Sequence, residues 1–462
     1  MKKLIIVLGI LFFALSAFAQ EPEVVSKRTE NTKVFDLGKG KLRYEIYSAP
    51  IHYQDEAKVW QVIDISLVET PTDFRNEKNK IKSYFPKDIS VKEYATLKSD
   101  DTHYLSFGLD SLLIDGKEEK GIAFASLVMS PKAKTSRGIS AKVSLECDVQ
   151  RDGFLSFIKV NSPISSFKQV EEITLVGLHC SNIFVIDEYF DDKGRFYFAD
   201  EKGEIKFFIK PPYLIDNEGK RSGQIKQRLV VRNGKLYYEK EITDNAFLSS
   251  LSYPILVDTT TYWSSTADGH ISITNSEGWD ASHDATTGTA DSDDPYKDVA
   301  MTCRHFGLPG KYQIYRSFFY FDTSAIGGDT VDSADLYIYR YSAHGSGVSM
   351  QLGTQGDTLG NDDFNNFSGT YYGYTETWAD PDAYNVIAFS APDNQLVKDG
   401  TTKICCREYQ HDYLDVDPDP DQTFYSGCYY TEQADTTYDP KIVAETSTPS
   451  AHSGWIQKGV WR

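Results

Sequence analysis

The stretch Tyr315–Ile326, YRSFFYFDTSAI, followed at once by GGDTVDSADLYIYRY, decides the fold. Side chains of an extended strand alternate between its two faces. Tyr315, Ser317, Phe319 and Phe321 therefore share one face, and Arg316, Phe318 and Tyr320 the other. Aromatic residues on both faces predict a central strand, packed between sheets on one side and covered by a loop or partner strand on the other. Arg316 is then expected to pair with a carboxylate at the sandwich edge, in a structural role.

The same reading extends in both directions. Upstream, KLRYEIYSAPIHY, HYLSFGLD, AKVSLECDVQ and FLSFIKV alternate or run apolar over five to eight residues, which is the pattern of strands. Asn233-Gly234 supplies the pair that a two-residue hairpin turn needs. Helical periodicity is almost absent; EKNKIKSYF, Glu77 to Phe85, is the nearest candidate, with a loop there an equal alternative. The 30 Tyr and 26 Phe against 4 Met suit pleated, half-buried surfaces. The expected class is all-β: a β-rich, sandwich-like first domain followed by an antiparallel β-sandwich.

At 462 residues the chain is long enough for about two to three domains. Lys2 and Lys3, an apolar run from Leu4 to Leu15 and Ala17-Phe18-Ala19 before Gln20 predict a signal peptide over residues 1–19. No later stretch reaches the roughly 18 apolar residues of a membrane helix, so a secreted or cell-surface protein without membrane insertion is expected. The composition turns richer in Asp, Gly and Ser after Asp258. This places a first domain at 20–258, a second at 259–445 and a linker or tail at 446–462.

Several stretches resemble known modules. YSAPIHYQDEAKVWQVIDISLVE, FRNEKNKIKSYFPKD, KPPYLIDNEGKRS and YPILVDTT resemble, in that order, a β-rich region of secreted and wall-associated bacterial proteins that precedes DNRLRE domains or RHS repeats. YRSFFYFDTSAIGGDTVDSADLYIY, TETWAD and DPKIVAE resemble the DNRLRE (disaggregatase-related) β-sandwich. That resemblance implies a jelly-roll-like fold similar to carbohydrate-binding modules, in a non-catalytic part of polysaccharide-associated proteins.

The formal charge of −19 sits almost wholly in the second half, where Thr259 to Glu445 hold about 30 acidic and about 9 basic residues. A field of that sign repels nucleic acid and anionic lipid, so no nucleic-acid partner is expected. No nucleophile elbow, H-E-x-x-H, Walker loop or helix-opening G-x-G-x-x-G is present, and the chain is expected not to be an enzyme.

Three sets of residues are candidates for chemistry. Exposed aromatic rings stack on the apolar face of a sugar, which points to Trp279, Tyr371, Tyr372, Tyr374 and Tyr384 as a carbohydrate platform; the place of Trp378 in the resemblance to the DNRLRE sandwich implies that it packs on the core. DVDPDPD sets Asp415, Asp417, Asp419 and Asp421 on one side of an extended chain, and DSDD adds Asp291, Asp293 and Asp294. Calcium is the cofactor such oxygen clusters would hold. Cys147, Cys180, Cys303, Cys405, Cys406 and Cys428 are an even count in an exported chain, compatible with disulfides. Cys147 with Cys180, and Cys303 and Cys428 with Cys405 and Cys406, are the conceivable pairings, and buried thiols the alternative. The function expected is a non-catalytic cell-surface or matrix protein whose second sandwich binds extracellular polysaccharide or other cell-surface components. A purely structural or adhesive element, or a polysaccharide-degrading enzyme, are the alternatives.

Overall fold

The computed structural model describes residues 21–88, 93–119, 127–130, 134–140, 142–150, 153–180, 196–209, 212–218, 221–222, 225–262, 268–275, 277–292, 296–306, 311–345, 347–378, 383–431 and 436–448. The expected signal peptide, Asp293, Asp294 and most of the expected tail lie outside them.

The chain is nearly all antiparallel β, in two sandwiches. The first stacks a sheet containing Tyr104–Ile114, Phe167–Val176 and Lys235–Ile242 on a sheet containing Val143–Gln150, Gly153–Val160 and Ile255–Tyr262. Alternating apolar positions from both close a single core, among them Phe107, Leu109, Tyr238, Leu145, Phe154 and Ile255. Asn233 and Gly234 turn the hairpin from Lys226–Arg232 into Lys235–Ile242, both at positive φ (51° and 76°), as their sequence predicts. Residues 77–81 form no helix and lead into the strand Lys82–Pro86. Ile255–Tyr262 pairs with Gly153–Val160 through Tyr262, so the first sandwich ends four residues beyond the expected Asp258.

The second sandwich contains strands from both ends of the chain. Thr32–Gly38 and Lys41–Tyr47 form a hairpin, and Lys41–Tyr47 pairs along its length with the late strand Lys441–Ser447. Residues 32–47 thus belong with the region after Thr259, and the first sandwich is inserted between them and Gly269–Asn275. An edge strand exposes unpaired N–H and C=O groups, and Lys41–Tyr47 covers one edge of Lys441–Ser447 while Thr330–His344 covers the other. Val34, Tyr44 and Ile46 are fully buried there, beside Leu336, Ile338, Ile442 and Ala444.

Tyr312–Asp322 is a central strand. It pairs with Gly269–Asn275, Tyr296–His305 and Thr401–Glu408. Phe319 and Phe321 enter the core between the two sheets, with Tyr430 and Met350. Ile314 and Phe318 point the other way into a smaller core with Ile271, Trp279, Leu359 and Phe364. The covering layer is made of loops and the short helix Trp279–His283, as aromatic residues on both faces predict.

Candidate functional site

Arg316 sits on that loop-covered face with no exposed surface, in the interior and not at an edge. Its guanidinium donates to both Asp412 carboxylate oxygens (2.7 and 3.1 Å), to the His283 carbonyl (2.8 Å) and to the Phe364 carbonyl (3.1 Å). The Phe364 ring lies 4.2 Å from the guanidinium carbon. Arg407 donates to the same Asp412 oxygen at 2.7 Å. Asp412 is placed by a π-helical turn, Tyr409–Tyr413, whose amides of Gln410, His411 and Asp412 donate to the Glu408 carboxylate. Burial raises the Asp412 pKa, and the two guanidiniums outweigh it and hold the carboxyl well below its usual range. Every partner is internal, so this is a structural node.

The Asp-rich loop does not present four carboxylates on one side. Asp415 and Asp421 adopt positive φ (53° and 66°), which breaks the alternation an extended chain would give. Asp415 accepts from the Trp279 indole N–H (3.0 Å) and Asp417 from the Tyr312 hydroxyl (2.8 Å). Asp291 lies on a strand opposite His270. Among the described residues no three His, Cys, Asp or Glu side chains gather as metal ligands do.

The expected sugar platform divides. Trp279 is 9% exposed, stacked on His283 and packed on Tyr312, and Tyr372 is 4% exposed in the core, so neither can face a ligand. Gly278 at φ 113° starts a helical turn that carries the Trp279 indole inward. Trp378 is buried as expected, its indole N–H donating to the Gly427 carbonyl. Tyr371 and Tyr374 emerge on the surface and join two tyrosines that sequence reading missed, Tyr409 and Tyr413. Tyr374 stacks on Tyr409 (4.5 Å, 10°) and Tyr409 on Tyr413 (5.7 Å, 15°). In this column the ring faces are largely turned to one another. The spacing of four between Tyr409 and Tyr413 was the available signal.

Tyr384 lies elsewhere, on the outer face of the sheet formed by Lys41–Tyr47, Lys441–Ser447, Thr330–His344 and Tyr384–Ala388. There it lines a groove of about 420 Å³ with Arg43, Glu45, Asp335, Tyr337 and Lys441. The register sets Glu45, Val443, Asp335 and Ala388 in one row across the strands. The Tyr384 hydroxyl donates to the carbonyls of Thr437 and Asp439, which fixes its ring against Tyr337 and Tyr339. Lys441 pairs with Glu45 (3.5 Å), and Arg43 with Glu21. Burial alone raises the Asp335 pKa, and no cation pairs with it among the described residues. The row continues past the groove into Tyr339, Tyr341, Tyr429 and Tyr438.

None of the expected disulfides forms. Cys303, Cys405, Cys406 and Cys428 are fully buried thiols, two in each core of the second sandwich. Cys147 faces the core of the first sandwich between Thr135 and Ser156, whereas Cys180 lies opposite Phe198 near the far edge of the same sheet.

No protein-family model matches this chain. It is 25% identical over 309 residues to the tRNA nuclease WapA of Bacillus subtilis (strain 168), covering 58% of this chain and 12% of that protein. It is 26% identical over 311 residues to the tRNA(Glu)-specific nuclease WapA of Bacillus subtilis subsp. natto (strain BEST195), with the same coverage. A wall-associated protein of Geobacillus stearothermophilus is 24% identical over 217 residues, 45% of this chain and 80% of that one. The N-terminal domain of the Streptococcus gordonii adhesin Sgo0707 aligns with a TM-score of 0.13 at 8% identity over 90% of this chain and 91% of that one, too weak a likeness to bear on the fold.

These relatives correct two expectations. Proteins 25–26% identical to this chain over 58% of its length are named as tRNA nucleases, so neither the exclusion of an enzyme nor that of a nucleic-acid partner stands. The physical reason is one of scope. A negative field describes the surface of one region, and missing motifs exclude only the chemistries those motifs serve. The chain spans 12% of the length of the WapA proteins it matches. No helix among the described residues is long and apolar enough to cross a membrane. Kinship with the wall-associated protein supports a protein of the cell surface.

Proposed function

We propose that this cell-surface chain binds carbohydrate through the outer face of its second sandwich. The reading is carried by one observation: the groove of about 420 Å³ sets the Tyr337 and Tyr384 rings beside the Asp335 carboxylate. A flat apolar ring next to a hydroxyl acceptor is what one face and one edge of a pyranose require. The site holds Tyr384 from the aromatic residues singled out in sequence, with Asp335 and Tyr337 added. The test is co-sedimentation of the whole chain with isolated cell walls and with insoluble neutral polysaccharides. Retention that drops on Tyr337→Ala supports the reading, and absence of retention on every such material overturns it.

A second reading is favoured by the relatives named as tRNA nucleases. It is that this chain belongs to a surface protein acting on tRNA. Incubation of the chain with tRNA, read on a denaturing gel, tests it: cleavage supports an activity within these 462 residues, and intact tRNA removes it from them.

A further inference from the structure

The groove is one end of a longer feature. The strand Thr330–His344 presents Ser333, Asp335, Tyr337, Tyr339 and Tyr341 outward at every second position, while Ala334, Leu336 and Ile338 point into the core. At about 3.3 Å per residue the outward row spans about 26 Å. Tyr429 and Tyr438 widen it alongside Tyr339, at ring separations of 5.7 and 4.3 Å. A row of this length exceeds what a single sugar residue contacts.

The charges along it are unequal in availability. Lys441 is held by Glu45 and lies 5.3–5.9 Å from the ring centres of Tyr47, Tyr337 and Tyr384. Arg43 is engaged by Glu21 and stacked on Phe35 at 4.8 Å. Among the described residues Asp335 has no such partner, and Glu445 is exposed beside it. The groove therefore offers carboxylate acceptors and has its cations already committed. Hydroxyl donors are welcome there and a ligand's own carboxylates are repelled.

We infer that the outer face of Thr330–His344 takes a linear, hydroxyl-rich, non-acidic glycan chain of several residues, laid along the strand from Ser333 to Tyr341. This rests on the carbohydrate reading above and adds the form and charge of the ligand. Tyr337 and Asp335 hold the residue in the groove, and Tyr339 and Tyr341 stack successive residues beyond it.

The experiment is calorimetric titration of the whole chain with cello- and chito-oligosaccharides from monosaccharide to hexasaccharide, and with oligogalacturonates of the same lengths. One neutral series should gain roughly tenfold in affinity between disaccharide and hexasaccharide, about 1.4 kcal/mol, with the oligogalacturonates weaker throughout. Tyr341→Ala should lower hexasaccharide affinity and leave the disaccharide unchanged, whereas Tyr337→Ala should lower both. A monosaccharide that binds as tightly as the hexasaccharide overturns the extended tract and leaves carbohydrate binding standing. Preference for oligogalacturonate overturns the charge assignment. No binding by either neutral series, with no retention on cell walls, removes the carbohydrate reading itself and the tract with it.

Discussion

The Arg316 guanidinium stands 2.7 Å from the Asp412 carboxylate, and neither side chain has any exposed surface. The two are 96 residues apart in sequence, so their bond ties the central strand to the turn after Thr401–Glu408. Arg407 shares the same carboxylate, and the net charge of the three is positive. Removing one partner of a buried pair leaves an uncompensated charge and costs about 3–5 kcal/mol. Arg316→Met leaves Asp412 paired with Arg407 but strips the His283 and Phe364 carbonyls of their donor, so it should lower unfolding free energy by about 1–3 kcal/mol, measured by urea denaturation. Asp412→Asn should cost at least as much, because it strands two guanidiniums. A loss below about 1 kcal/mol for either is what an exposed pair gives and would remove the node from the account of stability.

The sign of its pH dependence follows from the depressed Asp412 pKa. A carboxyl held below its ordinary value of 3.8 contributes stability that is complete above that value and is lost as pH falls through the folded one. The stability difference between wild type and Asp412→Asn should therefore narrow as pH drops below 3.8. A gap unchanged down to the acid limit of the fold would mean that the charge on Asp412 contributes nothing.

The central strand was legible because its evidence is local: aromatic side chains on both faces leave few places in a sandwich for Tyr312–Asp322. The partner of Arg316 was not, since Asp412 sits in a loop whose sequence advertises only its other aspartates. The calcium expectation assumed that DVDPDPD is extended, and two backbone angles at Asp415 and Asp421 undo that assumption. KLRYEIY was read correctly as a strand, but alternation fits any half-buried sheet and says nothing of its neighbour. Its pairing with Lys441–Ser447 depends on tertiary contacts across the whole chain. The groove was half legible: Tyr384 was singled out, while Tyr337 and Asp335 looked like ordinary outward positions of a strand.

The thiols of the second sandwich should be inert in the folded state. Burial pushes the Cys405 thiol up to about 12 and drives Cys303 and Cys428 higher as well. Thiolate is the reactive form, so little is present at neutral pH. Native protein should label slowly with a thiol reagent at these four positions and rapidly in denaturant, and a reductant should leave the melting temperature unchanged. A melting temperature that falls on reduction would point to a disulfide in solution.

A change at Tyr374 tests the tyrosine column against the groove as the place of binding. It is 41% exposed and stacks on one neighbour at 4.5 Å, an aromatic contact worth about 0.5–1.5 kcal/mol. Tyr374→Ala should lower unfolding free energy by about 1 kcal/mol and leave retention on cell walls intact. Loss of retention with unchanged stability would move the binding site to the column.

Asp335 is expected to trade stability for binding. Burial raises its pKa above 3.8 in the fold, so folding favours the protonated form, and stability from this group is gained as pH falls, not as it rises. Asp335→Asn removes the desolvated charge and keeps the shape. At neutral pH the variant should be at least as stable as wild type by thermal melting, yet weaker in retention on cell walls. A destabilised variant would show that the carboxylate has a structural partner and weaken its assignment as a ligand acceptor.

The covered edge gives the sharpest test of the architecture. Tyr44 is fully buried between the sheets and its hydroxyl donates to Asp329 (3.2 Å), although Tyr44 lies before the whole first sandwich in sequence. Truncating a buried aromatic to alanine costs about 3–5 kcal/mol, and Tyr44→Ala should lose that amount specifically from the second sandwich. A fragment beginning at Asp268 lacks Val34, Tyr44 and Ile46 and leaves one edge of Lys441–Ser447 unpaired. It should self-associate or aggregate through that edge, and adding residues 21–50 as a peptide should restore a monomer, read by size-exclusion chromatography. A fragment that is monomeric and as stable as the second sandwich in the whole chain would show that residues 32–47 are dispensable to it.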